Sequence, residues 1–252
     1  MFEIIYPVAV IALGFFVLGV TGFGSALVIV PLLSWQWPLA QVVPLVLLLD
    51  FGGCLLLGGL QWERIEARQL LRLLPWLLGG AGLGWLVMQQ PTWANSPLLL
   101  LVLGCYVIWV GVRGLRQTTT SQHSLFKNPI FSGILAGLIE VVFGTSGPVM
   151  VGHLVTRFSD AHTLRVNISA ALLLLSGLAS IVMGLSGRLS SPVLVTWLPG
   201  LALTALISLL LGHRLAHRMP ATKLRQAILG LLILSGLSLL AQVAHASLGR
   251  SS

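Results

Sequence analysis

Charge is what this sequence has least of. Only 8% of its 252 residues are Asp, Glu, Lys or Arg, and just six are acidic. A soluble domain carries roughly 25% charged residues. A chain this short of them cannot cover a water-facing surface, which excludes a soluble globular protein and leaves lipid as the outer solvent. Cysteine is nearly absent too. Cys54 and Cys105 both lie within apolar runs, so a disulfide pair is not expected and both read as buried thiols. The N-terminus lacks the basic stretch of a secretory signal, its only early charge being Glu3. No cleaved signal peptide is expected, and the first apolar run should stay in the mature protein.

What is present is apolar. Hydrophobic residues make up 56% of the chain, and the mean hydropathy is +0.99. The net charge of +8 would suggest a nucleic-acid partner if it lay along one face. Here the basic residues sit between apolar runs, as loops beside anionic lipid headgroups do. The expected setting is therefore multi-pass, in the bacterial inner membrane. The eight Trp fall mostly near run ends, as an interfacial belt would.

Eight apolar runs stand out, at about residues 4–34, 38–60, 70–90, 97–112, 129–156, 166–187, 192–212 and 224–247. Six have lengths near the ~20 residues a spanning helix needs. The first and fifth are near 30 and have glycine-rich centres. The longest polar stretch, residues 113–128, divides the chain into a first transmembrane repeat (1–112), a cytoplasmic linker (113–128) and a second transmembrane repeat (129–252). The halves open alike. Gly14, Gly19, Gly22, Phe23, Gly24, Ser25 and Pro31 head the first; Gly133, Gly137, Gly144, Thr145, Ser146, Gly147 and Pro148 head the second. Three plainer runs follow each opening, a common transporter build.

The basic residues choose between topologies. If all eight runs cross fully, the 14 Lys and Arg divide 8 to 6, nearly blind to the positive-inside rule. If the fifth run dips in and returns, Lys127, Arg157 and Arg165 share one side, and only Arg188 and Arg250 remain outside. That 12-to-2 division predicts a re-entrant hairpin of two half-length arms. Irregular backbone is tolerated at that depth only inside protein or along a cavity. By repeat symmetry the first run should be a hairpin entering from the other face. The expected fold class is an all-α polytopic membrane protein of two inverted repeats, each a re-entrant broken hairpin plus three transmembrane helices.

At these two glycine-rich segments the sequence resembles the sulfite exporter TauE/SafE family of membrane proteins. Gly19-Val20-Thr21-Gly22-Phe23-Gly24-Ser25-Ala26, followed by Pro31-Leu32, is similar to that family's first glycine-rich signature. Ser25 and Ala26 stand where glycines are usual. Gly133 to Gly137, then Phe143-Gly144-Thr145-Ser146-Gly147-Pro148, is similar to its second-half element, with Ser146 in place of a glycine and Glu140 where a small residue is commoner. The resemblance covers nearly the whole chain. It implies transport of sulfur-containing or other organic anions. The departures bear on the substrate, not on the class.

The candidate solute-binding residues are Gly22, Gly24, Ser25, Gly144, Thr145, Ser146, Gly147, Pro148 and Asn167. A broken hairpin exposes amide N–H groups at the start of its second arm, and those groups with the local dipole favour an anion. The hydroxyls of Ser25, Thr145 and Ser146 add donors; close packing through small residues is the alternative. Asn167 and Ser169, early in run six, suit either a pore entrance or a polar helix start. Asp50 and Glu140 are carboxylates within apolar runs, where such groups commonly serve a pathway or proton relay. Either can couple transport to protons, or serve as a neutral hydrogen-bonded strut. His153, Arg157, His162 and Arg165 surround one end of the second hairpin, as anion collectors or as ordinary positive-inside charge. Cys54 lies one turn beyond Asp50 on the same face, which leaves room for thiol chemistry beside inert packing. His213 and His217 have the i, i+4 spacing of metal ligands, but beside Arg214 and Arg218 they read as a snorkelling helix end. No metal or cofactor is expected.

Two other classes remain open. Gly144-Thr145-Ser146-Gly147 matches the G-x-S-G pattern of rhomboid-type intramembrane serine proteases, but such a Ser needs a His at its depth, and His245 is the only one in a later run. A non-transporting membrane assembly subunit is the other. The partners expected are a small anionic solute and membrane lipids, and association into a homo-oligomer is compatible with the sequence.

Overall fold

The computed structural model describes residues 2–59, 65–89, 97–116, 127–158, 161–216, 230 and 233–241. Nine α-helices are assigned within them: α1 (Phe2–Thr21), α2 (Ser25–Leu33), α3 (Leu39–Gly59), α4 (Ala67–Gln89), α5 (Pro97–Arg116), α6 (Pro129–Phe143), α7 (Gly147–Leu154), α8 (Ala161–Leu185) and α9 (Pro192–Ala216). A 3-10 turn, Arg188–Ser190, precedes α9, and residues 233–241 are also helical. No strand occurs among the described residues. α1, α3, α4, α8 and α9 are each long and apolar enough to cross a membrane. The fold is all-α and polytopic. Backbone groups in hydrocarbon must be paired within their own segment, and only a helix does that for a single open chain.

Exposed and buried faces of these helices are equally apolar. On α9, Leu203, Ile207, Leu210 and Leu211 point outward while Leu201, Ala205 and Leu209 are buried. A helix apolar all round suits lipid on one side and protein on the other. α5 explains one departure from the sequence reading. Cys54 is buried, but Cys105 is exposed. It falls on the outward stripe of α5 with Leu98, Leu101, Val102 and Trp109. Membership of an apolar run does not tell a lipid-facing position from a protein-facing one.

The first and fifth runs are each interrupted in the same way. Gly22 (φ +82°) and Gly144 (φ +68°) are left-handed. The Gly22 N–H bonds to the Leu18 carbonyl and the Gly144 N–H to the Glu140 carbonyl, both at 2.7 Å, the bond that closes a glycine-terminated helix. A second helix starts three residues after each glycine, at Ser25 and Gly147. Both segments then fold back. The Tyr6 hydroxyl donates to the Leu32 carbonyl at 2.7 Å, and the Gln36 amide to the Glu3 carbonyl. In the second, Arg157 donates to the Lys127 carbonyl. The arms are unequal, however: 20 and 9 residues in the first, 15 and 8 in the second. Each break falls at its left-handed glycine, a few residues past the middle of the apolar run, so the first arm is the longer in both.

Helix pairing has matched contacts. α1 packs on α9, α4 on α6, and α3 on α8. A Cβ on Gly19 would collide with the Leu209 carbonyl, and one on Gly212 with the Phe16 carbonyl. Likewise a Cβ on Gly137 would collide with the Leu77 carbonyl, and one on Gly80 with that of Ile134. In each crossing the contacts come from a glycine and a residue three positions before it: Phe16 and Gly19 on α1, Leu209 and Gly212 on α9, Leu77 and Gly80 on α4, Ile134 and Gly137 on α6. Glycine allows helix backbones into direct contact, which is how helices associate where lipid removes the hydrophobic drive between them.

Candidate functional site

The tips of the two folded-back segments touch. A Cβ on Gly147 would lie 3.3 Å from the Phe23 ring and 3.8 Å from the Gly24 nitrogen. Between them is a pocket lined by Gly24, Ser25, Gly144, Thr145 and Gly147 of the tips, by Asp50 and Cys54 of α3, and by Glu140 of α6. Leu18, Leu172 and Ser176 complete much of the wall. Three pairs of liners, Leu18 with Glu140, Asp50 with Leu172 and Cys54 with Ser176, are each 122 positions apart. Asp50 precedes the polar stretch 113–128 and Glu140 follows it, so one carboxylate comes from each side of that stretch.

Both carboxylates hold a tip. The Ser25 hydroxyl, at the start of α2, donates to Asp50 Oδ1 at 2.6 Å. The Ser146 backbone N–H, at the start of α7, donates to Glu140 Oε2 at 3.0 Å. An N-terminal amide and the positive end of the helix dipole are where an anion is expected. In α7 the chain's own carboxylate already takes that place. Ser25 likewise serves Asp50 here, so its donor is engaged. Among the described residues the buried hydroxyls of Thr145 and Ser146 have no well-formed hydrogen bond, although Ser146 lies beside the Glu140 carboxyl, and Thr145 faces the pocket. Its carbonyl accepts from the Tyr106 hydroxyl of α5 at 3.1 Å.

Other candidates lie elsewhere. Ser146 and Pro148 form the tip without lining the pocket. Gly22 is turned toward α8, where Ser169 Oγ donates to its carbonyl at 3.4 Å. Arg165 donates to the Gly19 carbonyl, satisfying an otherwise orphan group at the end of α1. Asn167 is fully buried but distant from the pocket. Its Oδ1 accepts from the Glu66 N–H at 2.9 Å, which ties α8 to the residue before α4, and its Nδ2 donates to the Thr163 carbonyl one turn back in α8. His153 is buried. His162 has no described side chain, and His217 and His245 lie outside the described residues. Ser176 and Tyr106 escaped the sequence reading. Both are polar interruptions of apolar runs, the signal that singled out Asp50 and Glu140, but a hydroxyl in a helix often bonds its own backbone, as Ser176 also does to the Leu172 carbonyl.

The family described as sulfite exporter TauE/SafE matches residues 7–239. The chain belongs to this family. Among curated relatives, the probable inner membrane transporter protein TsaS of Comamonas testosteroni is 34% identical over 198 residues, covering 77% of this chain and 81% of its own. The probable sulfite/organosulfonate exporter TauE of Cupriavidus necator is 28% identical over 244 residues, covering 92% and 91%. No solved structure matches. This TauE/SafE chain is thus a multi-pass inner-membrane transporter and not an enzyme. The G-x-S-G at Gly144–Gly147 belongs to a transporter's hairpin tip, and the protease and assembly-subunit readings are set aside.

Proposed function

We propose that this TauE/SafE protein carries a small, sulfur-containing or organic anion across the membrane, binding it between the two tips and coupling its passage to protons through Asp50 and Glu140. The observation that carries the reading is the meeting of the tips around buried hydroxyls, with a carboxylate on each. The matched glycine crossings of α1 with α9 and α4 with α6, and the glycine break in each opening segment, support two inverted repeats, with the folded-back segments as re-entrant hairpins that meet near the membrane midplane.

The pocket holds about 20 Å³, room for a water molecule but not for a sulfonate. Binding therefore requires the tips to part. Glu140 acts as a tethered anion on the α7 amide, and a solute anion competes for the same donors. A proton taken up by Glu140 removes its charge, weakens its hold on Ser146 and lifts the repulsion against the solute. Asp50 does the same for Ser25. No buried Arg is needed; one would bind too tightly and be costly to bury.

Reconstituted in proteoliposomes, the protein should exchange sulfite or a short alkylsulfonate at a rate that responds to an imposed pH gradient. Glu140→Gln keeps an acceptor for the Ser146 N–H and should stay folded, yet its flux, like that of Asp50→Asn, should lose the response. If both variants keep the wild-type pH dependence, the carboxylates are struts and the coupling proposal falls.

The hairpin reading has its own check. Single cysteines at positions 127 and 157, in a background lacking Cys54 and Cys105, should react alike with a membrane-impermeant thiol reagent in intact cells, both being protected. Opposite reactivity would contradict it.

A further inference from the structure

A second cavity, of about 170 Å³, lies where the ends of α4 and α8 meet the 3-10 turn. Its wall is mixed: Met88 and Met183 are buried there, with Val141, Val182 and the Trp85 ring, and Gln89 and Ser186 add polar edges. One cation enters it, Arg188. Its Nη2 donates to the Met88 carbonyl, a group left over at the end of α4. Its Nη1 is buried and has no hydrogen-bond partner among the described residues. Among the described residues no carboxylate lines the cavity. The Trp85 indole donates to Ser186 Oγ at 2.9 Å, which holds the ring as a wall.

A guanidinium carries five donors and no acceptor. Leaving one of them buried and unpaired is costly, more so for a charged group. An anion placed against Nη1 supplies what is missing, and Arg suits oxyanions with planar or forked oxygens. The volume is about that of a cavity that accepts benzene. We propose that this cavity is a second binding site, for an organic anion with an oxyanion head on Arg188 and a small apolar body against Met88, Met183 and Trp85. It is distinct from the tip pocket but adjacent to it. Glu140 lines one and Val141 the other, on neighbouring faces of the last turn of α6. Being far roomier, it accepts a solute that the closed tips exclude. The same head-and-body chemistry is offered by a soluble arylsulfonate and by an anionic phospholipid.

The test is calorimetric titration of benzenesulfonate into purified protein in discs of zwitterionic lipid. Wild type should bind, and Arg188→Gln should weaken binding at least tenfold. Met183→Trp fills the cavity while leaving the Arg188 bond to Met88 in place, and should weaken binding as much. Inorganic sulfite, which lacks the body, should bind at least tenfold more weakly than benzenesulfonate. Gly24→Val, in the tip, should leave benzenesulfonate affinity within twofold, so that failure of this site and failure of the tip reading are separable. Repeating the titration in discs containing phosphatidylglycerol identifies the source. An Arg188-dependent loss of affinity makes the lipid headgroup the occupant, and unchanged affinity makes it the soluble anion. Absence of binding by wild type, or wild-type affinity in both Arg188→Gln and Met183→Trp, would overturn the proposal.

Discussion

Gly24→Val should abolish solute flux while leaving an assembled protein. The reason is conformation and not space. A Cβ at Gly24 would have only Leu27 Cδ1 near it, at 3.9 Å, but the backbone there has φ +95°. A β-branched residue in that region is a severe outlier, at a cost of about 1–3 kcal/mol. The tip can relieve the strain by rotating its peptide, which withdraws Ser25 from Asp50. Gly144, at φ +68°, should behave the same way when replaced by Val. Gly147 differs, because its φ is not positive and its constraint is the Phe23 ring at 3.3 Å. Gly147→Ala should keep most of the flux, and Gly147→Val, which forces the tips apart, should lose it. The measurement is initial flux at matched protein-to-lipid ratio, with thermal unfolding of each variant beside it. Wild-type flux in Gly24→Val would show that the tip conformation is incidental.

The largest effect on the fold itself is expected at the helix crossings. Gly137→Leu drives a side chain into the Leu77 carbonyl, and Gly19→Leu into that of Leu209. Backbone cannot step aside without parting the two helices, so the cost should exceed the roughly 1–3 kcal/mol of ordinary overpacking. Each crossing joins the two halves of the chain. Both variants should therefore lose the monodisperse peak on size exclusion. Gly79→Leu and Gly82→Leu, on the same α4 but with nothing within 4 Å, should be indistinguishable from wild type. A monodisperse Gly137→Leu with unchanged melting would show that the crossing is loose.

Much of the site was legible in the sequence for a single reason. A carboxylate, or a left-handed glycine before a new helix start, is expensive in hydrocarbon and rarely there by accident. Asp50, Glu140, Gly24 and Gly144 stood out on that ground and line one pocket with Thr145, which stood out for its hydroxyl. Asn167 looked the same, but its amide is consumed by Glu66 and Thr163, a pairing across 101 positions that no local pattern carries. Ser25 was expected to offer its hydroxyl to a solute, and the fold gives it to Asp50.

By itself, then, the sequence determined the solvent, the helical class, the places where helices break and the family. Those follow from composition, run length and glycine or proline position, all local quantities. Which helix meets which, that the Glu140 carboxylate occupies the amide of Ser146, that Cys105 faces outward, and that Arg188 keeps one buried nitrogen unpaired were decided only by the tertiary structure. Each depends on a partner far along the chain, and an apolar helix in lipid presents nearly the same residues to a neighbour as to the bilayer, so its pattern cannot say where that partner lies.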